Sequence, residues 1–185
     1  MTPPEDLITP ELVALVRAGD REAFERLFRA WYGRLADHAA RMLGNHDAAE
    51  DSVQDVFVAV WDKRAGLPEP AKIPAYLYRA VRNRSLNQIR QQKTRGRWLG
   101  TQDPDPSVPA VAETDLQASE IGAKVQEALA ELSPRCREVF LLSRDDGLTY
   151  PQIADTLGIS IKTVETLMGR ALKSLRSQLA AIRPG

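Results

Sequence analysis

The sequence LTYPQIADTLGISIKTVETLMGRALKSLR, residues 148 to 176, predicts the fold of the C-terminal part of the chain. Thr149 and Gln152 have the spacing of a capping box, which begins a short helix, and Ser160 is a typical N-cap for the next helix. Gly158 lies between the two helices, where a tight turn requires conformational freedom. The pattern predicts a helix-turn-helix, a motif that binds DNA, and an ordinary helical hairpin is the alternative.

Apolar or small residues occupy the positions that form the shared core of such a motif. They are Ile153, Ala154, Leu157, Ile159, Val164 and Leu167. The second helix enters the major groove, where its exposed side chains meet base edges and phosphates. The candidate contacts on it are Lys162, Thr163, Glu165, Thr166, Arg170 and Lys173. Lys and Arg pair with guanine acceptors, Glu accepts from cytosine N4, and Thr serves either a base or a phosphate.

The whole chain has 185 residues, a length that suits one medium domain or two small ones. Its net charge is zero, and it contains one cysteine. A lone cysteine excludes a disulfide framework and a thiolate-rich zinc site, and His38 and His46 lie near no cluster with ligand spacing. We therefore expect no metal, no cofactor and no enzymatic activity. Because the sequence contains neither a secretory leader nor an apolar run of roughly 20 residues, we expect a cytoplasmic protein without membrane contact.

Helix start and stop signals are dense along the chain, and strand signals are missing, so we expect an all-α fold. The predicted N-terminal helices run over about residues 10–18, 21–43, 47–63 and 75–94. In this prediction Asp20 caps the second helix, and a capping box of Asp47 and Glu50 opens the third. Four helices with short loops make a compact bundle.

Charge is strongly segregated within the chain. Residues 72–97 contain eight basic and no acidic side chains, whereas residues 98–120 contain five acidic and no basic ones and are rich in proline. We therefore predict two small helical domains, residues 1–97 and 121–185, joined by a flexible linker over residues 98–120. The basic block favours a nucleic-acid face, and a solvated surface is the alternative.

Polar side chains share one face of the fourth predicted helix when residues are placed at about 100° intervals. They are Tyr76, Arg79, Asn83, Asn87 and Arg90. Cations suit phosphates, amides suit base edges, and an aromatic ring can stack on an unpaired base. On the third helix, Asp51, Asp55 and Asp62 lie opposite an apolar stripe, and Gln54 flanks them. These side chains form either a solubilising surface or a dock for a basic partner helix.

Three segments together resemble the RNA polymerase sigma factors, and specifically the small two-domain extracytoplasmic-function group. They are AEDSVQDVFVAVW (49–61), PAYLYRAVRNRSLNQIRQQKTR (74–95) and LSPRCREVFLLSRDDGLTYPQIADTLGISIKTVETLMGRALKSL (132–175). The resemblance implies that the chain binds core polymerase, recognises the −10 and −35 promoter elements and initiates transcription. The runner-up is a helix-turn-helix regulator that binds duplex DNA without core polymerase, and a third candidate is a protein-docking adaptor.

The resemblance also implies residue roles that spacing does not show. Asp51, Gln54 and Asp55 match the family's contact with the β′ clamp, and the C-terminal domain would meet the β flap. Residues 64–72 correspond to the loop that captures a flipped base of the nontemplate strand. The resemblance further implies an anti-sigma factor as a partner, and cytoplasmic work at the nucleoid when bound to polymerase. Glu165 and Gly169 depart from many relatives, so the promoter preference does not carry over.

Overall fold

The computed structural model describes residues 7–98 and 120–180, and within these ranges the chain forms eight α-helices and no strand. The all-α fold class is therefore confirmed. The chain divides into two compact units between Pro106 and Ser107. Residues 99–119, which make up most of the predicted linker, lie outside the described ranges.

The N-terminal unit contains four helices, α1 (Pro10–Ala18), α2 (Arg21–Leu43), α3 (His46–Asp62) and α4 (Ile73–Trp98). The Thr9 hydroxyl accepts from the Leu12 N–H at 3.1 Å, and the Asp20 carboxylate accepts from the Ala23 N–H at 2.9 Å. Gly19 ends α1 in the left-handed conformation, at a φ of 91°. The predicted bounds of α1 and α2 are confirmed because their caps are local signals.

The capping box that the sequence predicts for α3 is wrong. Asn45 is the N-cap, and its side-chain oxygen accepts from the Ala48 N–H at 2.9 Å. Asp47 and Glu50 therefore lie inside the helix, with Asp47 in its first turn, where a carboxylate suits the helix dipole. Helix α4 starts at Ile73 and continues past Thr94 to Trp98.

The core of the N-terminal unit is formed where α2, α3 and α4 meet. Trp31 of α2 and Tyr78 of α4 are both fully buried and pack edge to face, with ring centroids 6.2 Å apart. His38 packs edge-on against the same Tyr78 ring at 5.1 Å. The neighbouring Tyr76 is only partly buried, so Tyr78 belongs to the core whereas Tyr76 reaches the surface of the unit.

The C-terminal unit contains α5 (Glu120–Ala130), α6 (Pro134–Arg144), α7 (Tyr150–Leu157) and α8 (Ile161–Ala180). One cluster of buried residues joins α5, α6 and α8, and consists of Ala128, Leu129, Leu132, Cys136, Ala171 and Leu175. Ser133 and Pro134 begin α6 as the sequence predicts, but the Ser133 side chain makes no cap hydrogen bond.

A buried cation closes the end of α5. Arg137 of α6 is only 3% exposed, and its guanidinium donates to the carbonyls of Leu129, at 2.7 Å, and of Ala130. These are among the last carbonyls of α5, which have no partner within the helix. Burial lowers the pKa of the Arg137 guanidinium from its ordinary value.

None of the helices within the described ranges is long and apolar enough to cross a membrane.

Candidate nucleic-acid interface

Helices α7 and α8 form the predicted helix-turn-helix. The Thr149 N–H donates to Gln152 Oε1 at 2.7 Å, and the Gln152 N–H donates to Thr149 Oγ1 at 3.5 Å, which confirms the capping box. Gly158 ends α7 at a φ of 65°, a left-handed conformation that glycine adopts without strain. These two devices turn the chain sharply and set where α8 begins.

The first turn of α8 is held by its own hydroxyl groups. Ser160 Oγ accepts from the Thr163 N–H at 3.1 Å and lies 2.8 Å from Thr163 Oγ1. The Thr166 hydroxyl donates to the Lys162 carbonyl at 2.9 Å. With its proton used by the backbone, Thr166 presents a methyl group and an acceptor oxygen outward, a combination that suits thymine methyls and base amino groups.

The faces of α8 are cleanly separated. Val164, Met168, Ala171 and Leu175 are buried. All six side chains predicted to contact DNA are exposed, and they are Lys162, Thr163, Glu165, Thr166, Arg170 and Lys173. Sequence reasoning missed Ile161, which is 46% exposed at the start of the same helix. Apolar residues at that position normally suggest core, so its exposure gave no signal in the sequence.

The predicted polar face of α4 also lies on the surface. Arg79, Asn83, Asn87 and Arg90 are exposed, and Tyr76 is partly buried at the beginning of the face. Leu77 and Val81, on another side of the helix, are fully buried. The face therefore combines cations, amides and one aromatic ring, and none of these side chains belongs to the core of the unit.

The three predicted polymerase contacts on α3 are exposed but divide between two neighbouring surfaces. Asp51 and Asp55 line a polar cleft of about 400 Å³ between α3 and α4, where Asp55 forms an ion pair with Arg84 of α4. Gln54 instead lines an apolar groove of about 660 Å³ between α2 and α3, together with Phe24, Phe28, Phe57, Val58 and Trp61. Sequence reasoning missed Arg84 as a partner because the pair depends on how α3 and α4 pack.

The loop of residues 64–72 joins α3 to α4 through two 3-10 turns, Arg64–Gly66 and Pro70–Lys72. The Arg64 guanidinium carbon lies 4.5 Å from the centroid of the Trp61 ring, and its Nη1 donates to the Trp61 carbonyl at 2.9 Å. Leu67, midway along the loop, is buried.

Among the residues that the structure describes, no His, Cys, Asp and Glu side chains are grouped to hold a metal ion.

Two protein-family models match the chain. The model for Sigma-70 region 2 matches residues 27–95, and the model for Sigma-70, region 4 matches residues 122–175. The first match includes the whole of α3, the 64–72 loop and most of α4. The second includes the helix-turn-helix.

Individual relatives agree with these matches. The chain is 30% identical to the ECF RNA polymerase sigma factor SigK of Mycolicibacterium vanbaalenii, over 94% of this chain and 91% of that relative. It also resembles CnrH, an RNA polymerase sigma factor of Cupriavidus metallidurans, in the solved structure of CnrH with the cytosolic domain of CnrY. That match has a TM-score of 0.65 and 28% identity, and covers 92% of this chain and 96% of the other.

A second solved structure is the sigma factor RpoE of Bartonella quintana in complex with the anti-sigma factor NepR. The TM-score is 0.66 at 25% identity, and the match covers 88% of this chain and 99% of the other. Both structural matches span nearly the full length of the sigma factor concerned. The chain therefore belongs to the extracytoplasmic-function group of the sigma-70 family of RNA polymerase sigma factors.

Proposed function

We propose that this sigma factor works through three surfaces: α3 binds core RNA polymerase, α4 recognises and opens the −10 element, and α8 reads the −35 element. The observation that carries the proposal is the capped helix-turn-helix, whose α8 exposes four cations, Lys162, Arg170, Lys173 and Arg176. Residues 1–97 would form the core-binding and −10 domain, and residues 121–185 the −35 domain. Residues 98–120 would link them.

The −35 surface would combine two kinds of contact. Lys162 and Arg170, which are exposed, would reach base edges, and Glu165 would add an acceptor for cytosine amino groups. Lys173 lies further along α8 and would contact phosphate, which contributes affinity but no sequence information. Because Glu165 repels phosphates, its presence favours a role in base reading over general attraction to DNA.

The −10 surface would act on separated strands. Arg79 and Arg90 would attract the backbone, while Asn83 and Asn87 offer amide groups to exposed base edges. Tyr76 follows the 64–72 loop by four residues in the chain, and its ring would stack on a base that has left the duplex. Duplex opening would then follow from the free energy of trapping unpaired bases, with the 64–72 loop holding one of them.

The polar cleft and the apolar groove beside α3 support the assignment of this helix as the polymerase dock. Asp51 and Asp55 are exposed carboxylates on one side of the helix, and the apolar groove beside Gln54 adds contact area. A basic helix with an apolar ridge from the β′ clamp would complement both features. In the same proposal the C-terminal domain meets the β flap.

The remaining partners and the cellular setting follow from the proposed role. Since RpoE was solved with an anti-sigma factor, we expect an anti-sigma factor to hold this chain inactive as well. The polymerase carries out RNA synthesis, so the chain contributes binding and strand opening and is not itself an enzyme. It would act in the cytoplasm, at the nucleoid when bound to polymerase.

Run-off transcription is the experiment that tests the proposal. The chain is mixed with bacterial core polymerase and fragments of genomic DNA, and transcripts are mapped. We expect specific start sites only when both proteins are present. A helix-turn-helix regulator would instead bind duplex fragments without core polymerase, and an adaptor would bind no DNA. Either of those results, without core-dependent transcripts, would refute the proposal.

We expect Arg170→Ala and Lys173→Ala to affect −35 binding in different ways. A bidentate arginine contact discriminates between bases by about 1 to 3 kcal/mol, so Arg170→Ala should relax the preference at one base pair. Lys173→Ala should weaken all sequences alike and lower the salt dependence by about one unit of slope. Holoenzyme binding to a panel of single-base promoter variants measures both effects. Equal losses on every variant for Arg170→Ala would contradict its role in base reading.

A further inference from the structure

The Arg17 side chain of α1 is hydrogen-bonded to the 64–72 loop. Arg17 Nε and Nη2 donate to the Leu67 carbonyl at 3.2 Å and 2.7 Å, and Nη2 also donates to the Pro68 carbonyl at 3.0 Å. Arg17 is 50 and 51 residues away from these acceptors along the chain. The contact therefore forms only when the N-terminal unit is folded.

A second contact fixes the beginning of the loop against the turn between α1 and α2. Arg64 stacks on Trp61, and a Cβ atom added to Gly19 would lie 3.3 Å from Arg64 Nε. Leu67, only 4% exposed, anchors the middle of the loop in the core. The turn after α1, the ring of Trp61 and the Arg17 guanidinium thus hold the first half of the loop from three sides.

Arg17 is not part of the packing that holds α1 in place. Leu12, Val13 and Val16 are the buried residues of α1, whereas Arg17 lies on the surface. Its acceptors are backbone carbonyls of the loop, so the loop is what its removal would release. A hydrogen bond from a charged donor to such a carbonyl is stronger than one from a neutral donor, so this contact stabilises the conformation of the loop.

We infer that Arg17 is a positioning residue for base capture: it holds the 64–72 loop in its binding conformation before DNA arrives. The inference rests on the proposed role of that loop in −10 recognition. A loop ordered in advance loses less conformational entropy on binding, so it binds the same ligand more tightly. Pro68 and Pro70 restrict the loop in the same direction.

The test uses holoenzyme and a promoter found by run-off transcription with the wild-type chain. The nontemplate strand of its −10 element is prepared as single-stranded DNA, with 2-aminopurine at each position in turn, because this base fluoresces when it leaves the stack. We expect Arg17→Ala to weaken strand binding about tenfold, which corresponds to about 1.4 kcal/mol. Discrimination among the four bases at the captured position should fall as well, while affinity for core polymerase stays unchanged.

Three further variants make the result specific. Arg17→Lys should give an intermediate loss, since lysine keeps one charged nitrogen donor but lacks the second donor that Arg17 Nε supplies to the Leu67 carbonyl, and lacks the planar guanidinium geometry. Arg29→Ala is the matched control, because Arg29 is exposed and pairs with Glu25 of its own helix. It should bind the strand like the wild-type chain. Tyr76→Ala removes the proposed stacking ring and should weaken strand binding through the −10 surface itself.

The outcomes separate this inference from the proposed function. If Tyr76→Ala loses strand binding and Arg17→Ala does not, the role of Arg17 is refuted and the −10 assignment stands. If the wild-type holoenzyme shows no fluorescence change at any position, the proposed base capture fails first. A loss of core affinity in Arg17→Ala as large as its loss of strand binding would identify a merely structural residue, and would also refute the inference.

Discussion

Replacing Arg137 with alanine should unfold the C-terminal unit under conditions in which the N-terminal unit remains folded. The Arg137 guanidinium donates to the carbonyls of Leu129, Ala130 and Leu132, the last at 3.4 Å. Without it, the Ala130 and Leu132 carbonyls lose their side-chain donor, whereas the Leu129 carbonyl keeps a hydrogen bond from the Leu132 N–H at 3.2 Å. The deleted side chain also leaves space next to the buried cluster that contains Leu129 and Leu132.

The expected loss is large compared with the stability available. Each buried acceptor left without a donor costs about 1 to 3 kcal/mol, so the Ala130 and Leu132 carbonyls together amount to about 2 to 6 kcal/mol. A unit of about 60 residues has a free energy of unfolding of about 3 to 9 kcal/mol. Circular dichroism melting, together with amide hydrogen exchange resolved for each unit, measures the effect. We expect rapid exchange in α5, α6, α7 and α8 of the variant.

Two variants separate the hydrogen bonds of Arg137 from its packing and charge. Arg137→Met keeps most of the apolar volume but supplies no donor, so it should lose most of the same stability. Arg135→Ala is the matched control, because Arg135 is 57% exposed and pairs with Glu138 at 3.6 Å, and it should cost less than about 0.5 kcal/mol. An Arg137→Met protein as stable as the wild-type chain would contradict the hydrogen-bond argument.

Local signals in the sequence predicted the helices because the atoms that end a helix are close neighbours along the chain. Thr149 with Gln152, Gly158 and Asp20 are of this kind, and the structure confirms each of them. The error at α3 is also local. Asn45 and Asp47 are both good cap residues, and the extended backbone of Asn45, at a φ of −147° and a ψ of 123°, decides between them.

Contacts between helices could not be predicted in the same way. In the sequence Arg84 belongs to the basic block of residues 72–97, but in the structure it pairs with Asp55, 29 residues earlier in the chain. Arg17 and Arg137 likewise have partners that depend on how segments pack. Among the α3 candidates, each residue rotates the side chain by about 100°, so Gln54 faces the apolar groove while Asp55 faces the polar cleft.

We expect the double substitution Asp51→Arg and Asp55→Arg to lower affinity for core polymerase about 100-fold. The proposed partner is basic, and placing like charges against each other across an interface costs several kcal/mol, of which about 3 kcal/mol corresponds to this factor. The fold should survive, because both residues are exposed and the buried residues of α3, such as Val53 and Phe57, are untouched. Losing the Asp55–Arg84 pair costs little, since both side chains are about half exposed.

Fluorescence anisotropy with labelled chain and core polymerase measures the affinity, and circular dichroism checks the helices. Glu25→Arg with Asp37→Arg is the matched control, because it reverses two exposed carboxylates on α2 and adds the same net charge. Arg84→Ala breaks the ion pair without changing α3, so it should leave core affinity close to that of the wild-type chain. If the α2 control loses as much affinity as the α3 variant, net charge rather than docking explains the loss. If Arg84→Ala loses as much, the cleft between α3 and α4 acts as a unit and the two aspartates are not the dock.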